Sequence, residues 1–304
     1  MRIRDAHTHF FSRDFFRLLG KESAAKSGAV DPEVPLADLA RKTGIEIPDP
    51  DPRKHAERWL AELDRHGVEA AVSIASLPGE EEAVREAALA SKGRLIPFLV
   101  VDPTTPAGLE KGARAVSSGG FRGVLIFPAL HRFDPAAPSL DPLYAAAAGA
   151  HAAVVVHCGL LEIKVRDLLG IRPAYDIRFA SPLAVSAAAE RHREVQFIIP
   201  HFGAGFFEEV LLAGSQSANI HIDTSSSNSW IRAQPGDLTL EAVLRRSIEV
   251  FGPRRILFGT DSSTFPRGWR AAILDEELRA LDAIGVKDAD RSRILGENLV
   301  ELLS

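Results

Sequence analysis

The sequence predicts an α/β fold, a (β/α)8 TIM barrel with an insertion after its first strand and a helical cap at its C-terminus. Three observations predict it. Eight short apolar runs alternate with longer helical patterns along the chain. Most of these runs are continuous rather than alternating, as in Val154-Val155-Val156 and Phe197-Ile198-Ile199, which suits parallel strands buried on both faces. The 304 residues suffice for one barrel-sized domain spanning 1–304. A doubly wound open sheet is the competing reading, but it normally has fewer strands at this length.

Strands are expected at 3–10, 70–75, 95–101, 121–127, 153–158, 195–202, 219–224 and 255–260. Helices are expected at 54–66, 80–91, 106–117, 181–192 and 240–251, where apolar residues recur at helical spacing and Gly or Pro punctuates the ends. The segments 269–284 and 289–303 read as closing helices and a C-terminal cap. Three stretches are long for connections: 21–52, with a short helical piece near 36–41, then 159–180 and 225–237. All three follow a strand, which places them on the C-terminal face of a barrel, where active sites are built.

Composition narrows the function. The 36 basic residues against 41 acidic ones leave a formal charge of −5, which argues against gripping nucleic acid or an anionic membrane. The apolar fraction of 46% supports a large core and excludes a disordered chain. A single cysteine, Cys158, cannot form an intrachain disulfide and suits a reducing compartment. The N-terminus carries no apolar signal-like region, and the Ala-rich 142–156 stretch is too short to span a bilayer. The expectation is a soluble, cytoplasmic protein with a small-molecule partner, no nucleic acid and no membrane; a homo-oligomer is left open.

The chemistry concentrates at strand ends. In Asp5-Ala6-His7-Thr8-His9 the strand period of 2 turns His7 and His9 to one face, so both imidazoles can reach one cation. The fifth run ends in His157, the sixth in His201 and the eighth in Asp261. A histidine or carboxylate straight after a buried apolar run costs desolvation unless something pairs with it. Four strands thus converge His7, His9, His157, His201 and Asp261 on one end of the barrel. Three or four nitrogen and oxygen ligands with an open position make a catalytic divalent-metal site.

Those motifs, DAHTH from Asp5, VVVHCG from Val154, IIPHFG from Ile198 and ILFGTDSS from Ile256, resemble the metal-dependent amidohydrolase superfamily. More narrowly they resemble the branch of aminocarboxymuconate-semialdehyde decarboxylase-like enzymes and related lactonases. The segments Phe121-Arg122-Gly123-Val124, Pro128 to Phe133 and Asp141-Pro142-Leu143-Tyr144 share the likeness, which runs over essentially the whole chain. The resemblance implies metal ligation by His7, His9, His157 and Asp261, with His201 as acid/base or carbonyl-polarising group. Asp261 doubles as proton acceptor for the attacking water. Asp5, on the same strand face, is expected behind the histidines, orienting them. Binuclear relatives carry a carboxylated lysine at the end of the fourth strand, but here that strand is Val124-Leu125-Ile126-Phe127, so one divalent ion is expected. Zn2+ is the first expectation, with Mn2+, Fe2+ or Co2+ as alternatives.

The implied reaction is hydrolysis of a small, carboxylated lactone, ester or amide; the alternative is non-oxidative decarboxylation of an unsaturated or aromatic acid by nearly the same residues. A non-enzymatic binding protein is disfavoured, because His201 and Asp261 supply more acid/base chemistry than binding needs. Six arginines follow strands: Arg13, Arg17, Arg166, Arg178, Arg232 and Arg267. Of these Arg178 is expected to hold the substrate carboxylate, within a 159–180 loop that supplies recognition. Trp230 either walls the pocket or packs under its loop, and His131 stays open.

Overall fold

The computed structural model describes residues 2–26, 36–225 and 230–304. Eight parallel strands follow one another in chain order: β1 Ile3–His9, β2 Val68–Ala75, β3 Leu95–Val101, β4 Gly123–Ile126, β5 Ala153–Val156, β6 Gln196–Ile199, β7 Ile220–Asp223 and β8 Ile256–Leu257. The ends of this sheet meet through backbone hydrogen bonds: Ala6 N–H donates to Phe258 O, His9 N–H to Ser262 O and Asp261 N–H to His7 O, each 2.8 Å. The result is the nearly closed (β/α)8 barrel expected, and that closure brings the last residues of β1 against the chain leaving β8.

The helices are α1 Arg13–Lys26, α2 Leu36–Thr43, α3 Pro52–Arg65, α4 Glu81–Ala90, α5 Pro106–Ser117, α6 Pro128–His131, α7 Asp141–Gly149, α8 Lys164–Leu168, α9 Pro182–Arg191, α10 Phe207–Gln216, α11 Leu240–Phe251, α12 Ala271–Ala283, α13 Asp288–Ser292 and α14 Asn298–Leu302. Capping sets several starts. The side chains of Asp51, Thr105, Ser181 and Thr239 accept a hydrogen bond from the first turns of α3, α5, α9 and α11, and Pro leads the first three of these helices. The Asp51-Pro52 pair explains why α3 begins two residues before the apolar spacing suggests.

Strand periodicity divides the core. Ala6, Val72, Ile74, Phe98, Leu125, Val155, Ile198 and Leu257 fill the barrel interior, and Leu299, Leu302 and Leu303 join the same cluster from the α14 region. The alternate residues, such as Val124, Val154 and Ile199, pack outward with the helices. The C-terminal cap closes the end where the strands begin: Asn298 Nδ2–H donates to Pro253 O and to Ile256 O at 2.7 Å each.

The largest departure from expectation is α1. A helix occupies 13–26, where the sequence reading placed strand-following chain and then the start of an insertion from 21. Its buried Phe15, Phe16 and Leu19 join Phe11, Leu39, Val165 and Ile171 in a separate apolar cluster. The insertion after β1 and the loop after β5 therefore share a small core of their own over the C-terminal face. Part of the insertion, 27–35, and part of the expected 225–237 loop, 226–229, lie outside the described residues.

Candidate metal centre

At the C-terminal ends of β1, β6, β7 and β8 the fold gathers imidazoles and carboxylates. His9 Nε2 lies 3.2 Å and His7 Nε2 3.9 Å from Asp261 Oδ1. One ligand atom from each of His7, His9 and Asp261 falls within 4.8 Å of the others, and the same holds for His7, His201 and Asp223. The His157 ring sits beside this group, its centroid 5.4 Å from that of His201, but belongs to neither triple.

Hydrogen bonds fix which ring nitrogen is presented. Asp223 Oδ2 lies 2.8 Å from His7 Nδ1, so that nitrogen donates and Nε2 turns toward Asp261. His9 is arranged in the same way, with Nδ1 2.7 Å from Ser76 Oγ. His201 Nδ1 is 2.9 Å from the Ser225 carbonyl, which can only accept, so Nδ1–H donates and Nε2 is left to take or return a proton. Anchoring one imidazole nitrogen through a carboxylate, hydroxyl or carbonyl while exposing the other is how metal-ligating histidines are oriented. His157 adds a second sign: its buried Nδ1 has no hydrogen-bond partner among the described residues, a cost that a cation would relieve. The donor set fits a divalent ion.

The charges of the centre are set by burial and by one another. Burial disfavours protonated His7, yet the Asp223 carboxylate, with help from Asp261 and Asp5, outweighs it and lifts the ring to about 9. Burial also pushes against the charged form of Asp261, but the hydrogen bond from His9 and the field of His9, His7 and His201 hold this carboxyl far below the usual range. Asp223 is held down in the same manner by His7. His157 falls well below an ordinary imidazole, first through burial and then through its imidazole neighbours His201 and His7, so its lone pair stays available. His201 is lowered by burial and by His7. Two of these residues occupy left-handed backbone that side chains disfavour, His201 at φ 58° and Asp261 at φ 55°. The surrounding bonds over-determine that conformation, and it turns both side chains into the same space.

Asp5 acts on the histidines through the backbone. It does not touch the imidazoles. Its carboxylate accepts from the backbone N–H of His7 and of Thr260, from Thr260 Oγ at 2.5 Å and from Trp269 Nε1 at 2.8 Å. It holds β1 to the chain leaving β8, and so places His7 and Asp261 through their backbones. Period 2 sets the face of Asp5, and closure of the barrel delivers Thr260 and Trp269 to it. The residue that orients His7 is Asp223, which the sequence reading did not single out.

A cavity of about 1300 Å³ opens over the centre, lined by His7, His9, His157, His201 and Asp261. Phe11, Phe15, Phe127 and Phe265 supply flat aromatic wall, and residues 161–168 of the loop after β5 form another side. Gly159 lets that loop leave β5 closely: a Cβ there would stand 2.1 Å from Gly203 O and 2.2 Å from Ala204 O. Arg178 is not part of the lining. Its exposed guanidinium forks onto Asp176, at 2.9 Å and 2.6 Å, two residues before it. Of the six strand-following arginines, the cavity is lined by Arg166 and Arg267. Arg166 pairs with Glu22 of α1, and Arg267 Nη2–H donates to Ser263 Oγ at 2.9 Å. His131 lines the cavity as well, while Trp230 packs on Phe202 and Phe207 beneath its loop.

Residues 5–303 match the amidohydrolase family. The chain belongs to this family. Members of the family depend on metal, and no helix among the described residues of this amidohydrolase is long and apolar enough to cross a membrane. No curated protein matches its sequence. Solved structures share the fold. The 5-carboxyvanillate decarboxylase of Sphingomonas paucimobilis is 15% identical with a TM-score of 0.65, over 99% of this chain and 98% of that one. The corresponding enzyme of Novosphingobium aromaticivorans, solved with bound manganese, is 14% identical with a TM-score of 0.63, over 99% and 97%. A probable 2-pyrone-4,6-dicarboxylic acid hydrolase of Acinetobacter baumannii is 16% identical with a TM-score of 0.59, over 100% and 99%. The amidohydrolase fold thus serves both a carboxy-lyase and a lactone hydrolase among these likenesses.

Proposed function

We propose that this amidohydrolase is a single-barrel, mononuclear metal-dependent hydrolase acting on a small, carboxylated lactone, ester or amide. His7, His9, His157 and Asp261 would hold one divalent ion, Zn2+ first. The observation that carries this reading is the presentation of His7 and His9 Nε2 toward one oxygen of Asp261, with both Nδ1 atoms anchored behind. A bound divalent ion supplies Lewis acidity and makes water a nucleophile near neutral pH. Asp261, kept ionised by its histidines, takes the proton of the attacking water and passes it to the leaving group. His201, anchored at Nδ1 by Ser225, offers Nε2 to the developing negative oxygen when protonated. The aromatic walls exclude bulk water and strengthen these interactions.

Those same walls favour a second reading, decarboxylation of a planar unsaturated or aromatic acid, in which the acid/base pair protonates carbon. The lone, buried Cys158 suits a cytoplasmic protein. Metal-loaded protein is to be assayed against lactones, esters and amides and, in parallel, against aromatic and unsaturated acids with carbon dioxide detection. Hydrolysis without carbon dioxide release supports the first reading, and release of carbon dioxide supports the second. Metal-free protein of full activity overturns both.

A further inference from the structure

Of the Lys and Arg side chains that line the cavity, Arg267 stands outside the 159–180 loop where charge counting looks for a substrate contact. The Lys and Arg side chains lining the cavity are Lys164, Arg166 and Arg267, and His131 lines it as well. Arg166 is spent on Glu22, and Lys164, exposed like Arg267, stands on α8 in the roof. Arg267 sits on the loop that leaves Asp261, beside Ser263 and Thr264, which also face the cavity. Its only hydrogen bond among the described residues goes to the neutral Ser263 hydroxyl, and no carboxylate there lies within ion-pair distance. Arg178 is occupied by Asp176, Arg172 by Asp167 and Arg270 by the Thr260 carbonyl.

We propose that Arg267 is the specificity-determining residue of this site, its guanidinium receiving the substrate's carboxylate while the reacting carbonyl faces the His7, His9 and Asp261 centre. This rests on the functional reading above. A planar fork matches a carboxylate in two parallel bonds, and such pairing fixes direction as well as position. Burial lowers Arg267 from the ordinary guanidinium value, as does the nearby charge of Arg270, whereas the Asp261 carboxylate acts in the opposite sense. The place of Arg267 in the chain has a consequence: the loop that carries the carboxylate of the centre also carries the cation, so substrate orientation and proton transfer are set by one segment.

The test is calorimetric titration of the metal-loaded full chain with benzoate and with benzamide, in wild type, Arg267→Met and Arg267→Lys. Benzoate should bind more tightly than benzamide to the wild type. Arg267→Met should weaken benzoate on the order of 10-fold, as loss of a charged hydrogen-bonded pair does, and leave benzamide and metal content unchanged. Arg267→Lys should restore part of the loss. No preference for benzoate in the wild type, equal benzoate affinity in Arg267→Met, or equal losses on both probes overturns the proposal. A chain that binds no divalent ion yet shows the charge-selective loss supports the receptor and overturns the metal-dependent reading alone.

Discussion

The end of the barrel and the roof of loops above it are held together by opposite means. At the barrel end, buried charge is matched bond by bond. Asp223 alone accepts from His7 Nδ1, the His201 and Ser225 backbone amides and the Ser225 hydroxyl. The roof is held by apolar contact among Phe11, Phe15, Phe16, Leu19, Leu39, Val165 and Ile171, with the Arg166–Glu22 ion pair at its margin. A buried ionic group that loses its partner keeps its full desolvation cost, whereas apolar contacts and marginal ion pairs fail by degrees. On the proposed reading the chemistry belongs to the barrel end and the shape of the substrate space to the roof.

The barrel end should break first and furthest. His157→Ala removes a nitrogen with no other partner, and metal and activity should disappear together in elemental analysis and turnover assays. Metal retained at wild-type stoichiometry would shrink the ligand set to His7, His9 and Asp261. His201→Ala should keep most of its metal yet lose on the order of 10²-fold in turnover, because it removes acid/base or electrostatic help. If it empties as fully as His157→Ala, His201 is a ligand and the triple it forms with His7 and Asp223 is the true centre.

Asp223→Asn tests the anchoring itself. An amide nitrogen would face His7 Nδ1 or the amides that Asp223 now accepts from. Metal affinity should fall about 10- to 100-fold in chelator competition, the usual cost of losing such an orienting carboxylate. Unchanged affinity would show that closure of the barrel alone sets the His7 ring.

How these residues could be read from sequence differs for physical reasons. His7 and His9 stood out because the strand period of 2 turns them to one face, and His157, His201 and Asp261 because each closes an apolar run, where a polar side chain demands a partner. Asp223 obeys the same rule but is disguised. Its strand reads Ile220-His221-Ile222-Asp223, and alternation makes the acid look like one more solvent-facing position. Arg178 failed because a loop's charge count does not say which way each side chain points, and Asp176 two residues earlier captures it. The helix α1 was missed because its buried face is short and meets partners, Leu39, Val165 and Ile171, that only the tertiary fold supplies. The barrel was legible throughout, since parallel strands and their helices write a periodic pattern. Loops over a site write none.

Leu19→Ala sharpens the contrast from the roof side. Leu19 is fully buried in the roof cluster, so the cavity left should cost about 2–5 kcal/mol in chemical denaturation. Metal content should not change, and KM should rise more than kcat falls, because the wall moves while the ligands stay. Loss of metal in this variant would mean that roof and centre are one cooperative unit.

The last contrast separates the two regions by pH. Glu277 on α12 is buried behind the centre, its Oε2 accepting from Thr224 Oγ at 2.6 Å and its Oε1 without a hydrogen-bond partner among the described residues. Burial is the main cause that lifts this carboxyl to about 8 from an ordinary 4.5, with Asp223 and Asp5 adding to it. Between pH 4.5 and 8 the folded chain therefore keeps a proton that the unfolded chain has released. Folding then takes up a proton, so the contribution of Glu277 to stability declines as pH rises through that window. Glu277→Gln cannot titrate and keeps the shape. Its Tm relative to wild type should climb steadily from pH 4.5 to 8, while Arg166→Met in the roof, which breaks only the marginal pair with Glu22, should show no such climb. A flat difference for Glu277→Gln would mean that Glu277 is already ionised in the folded chain, and that the barrel end tolerates a buried charge that its hydrogen bonds do not match.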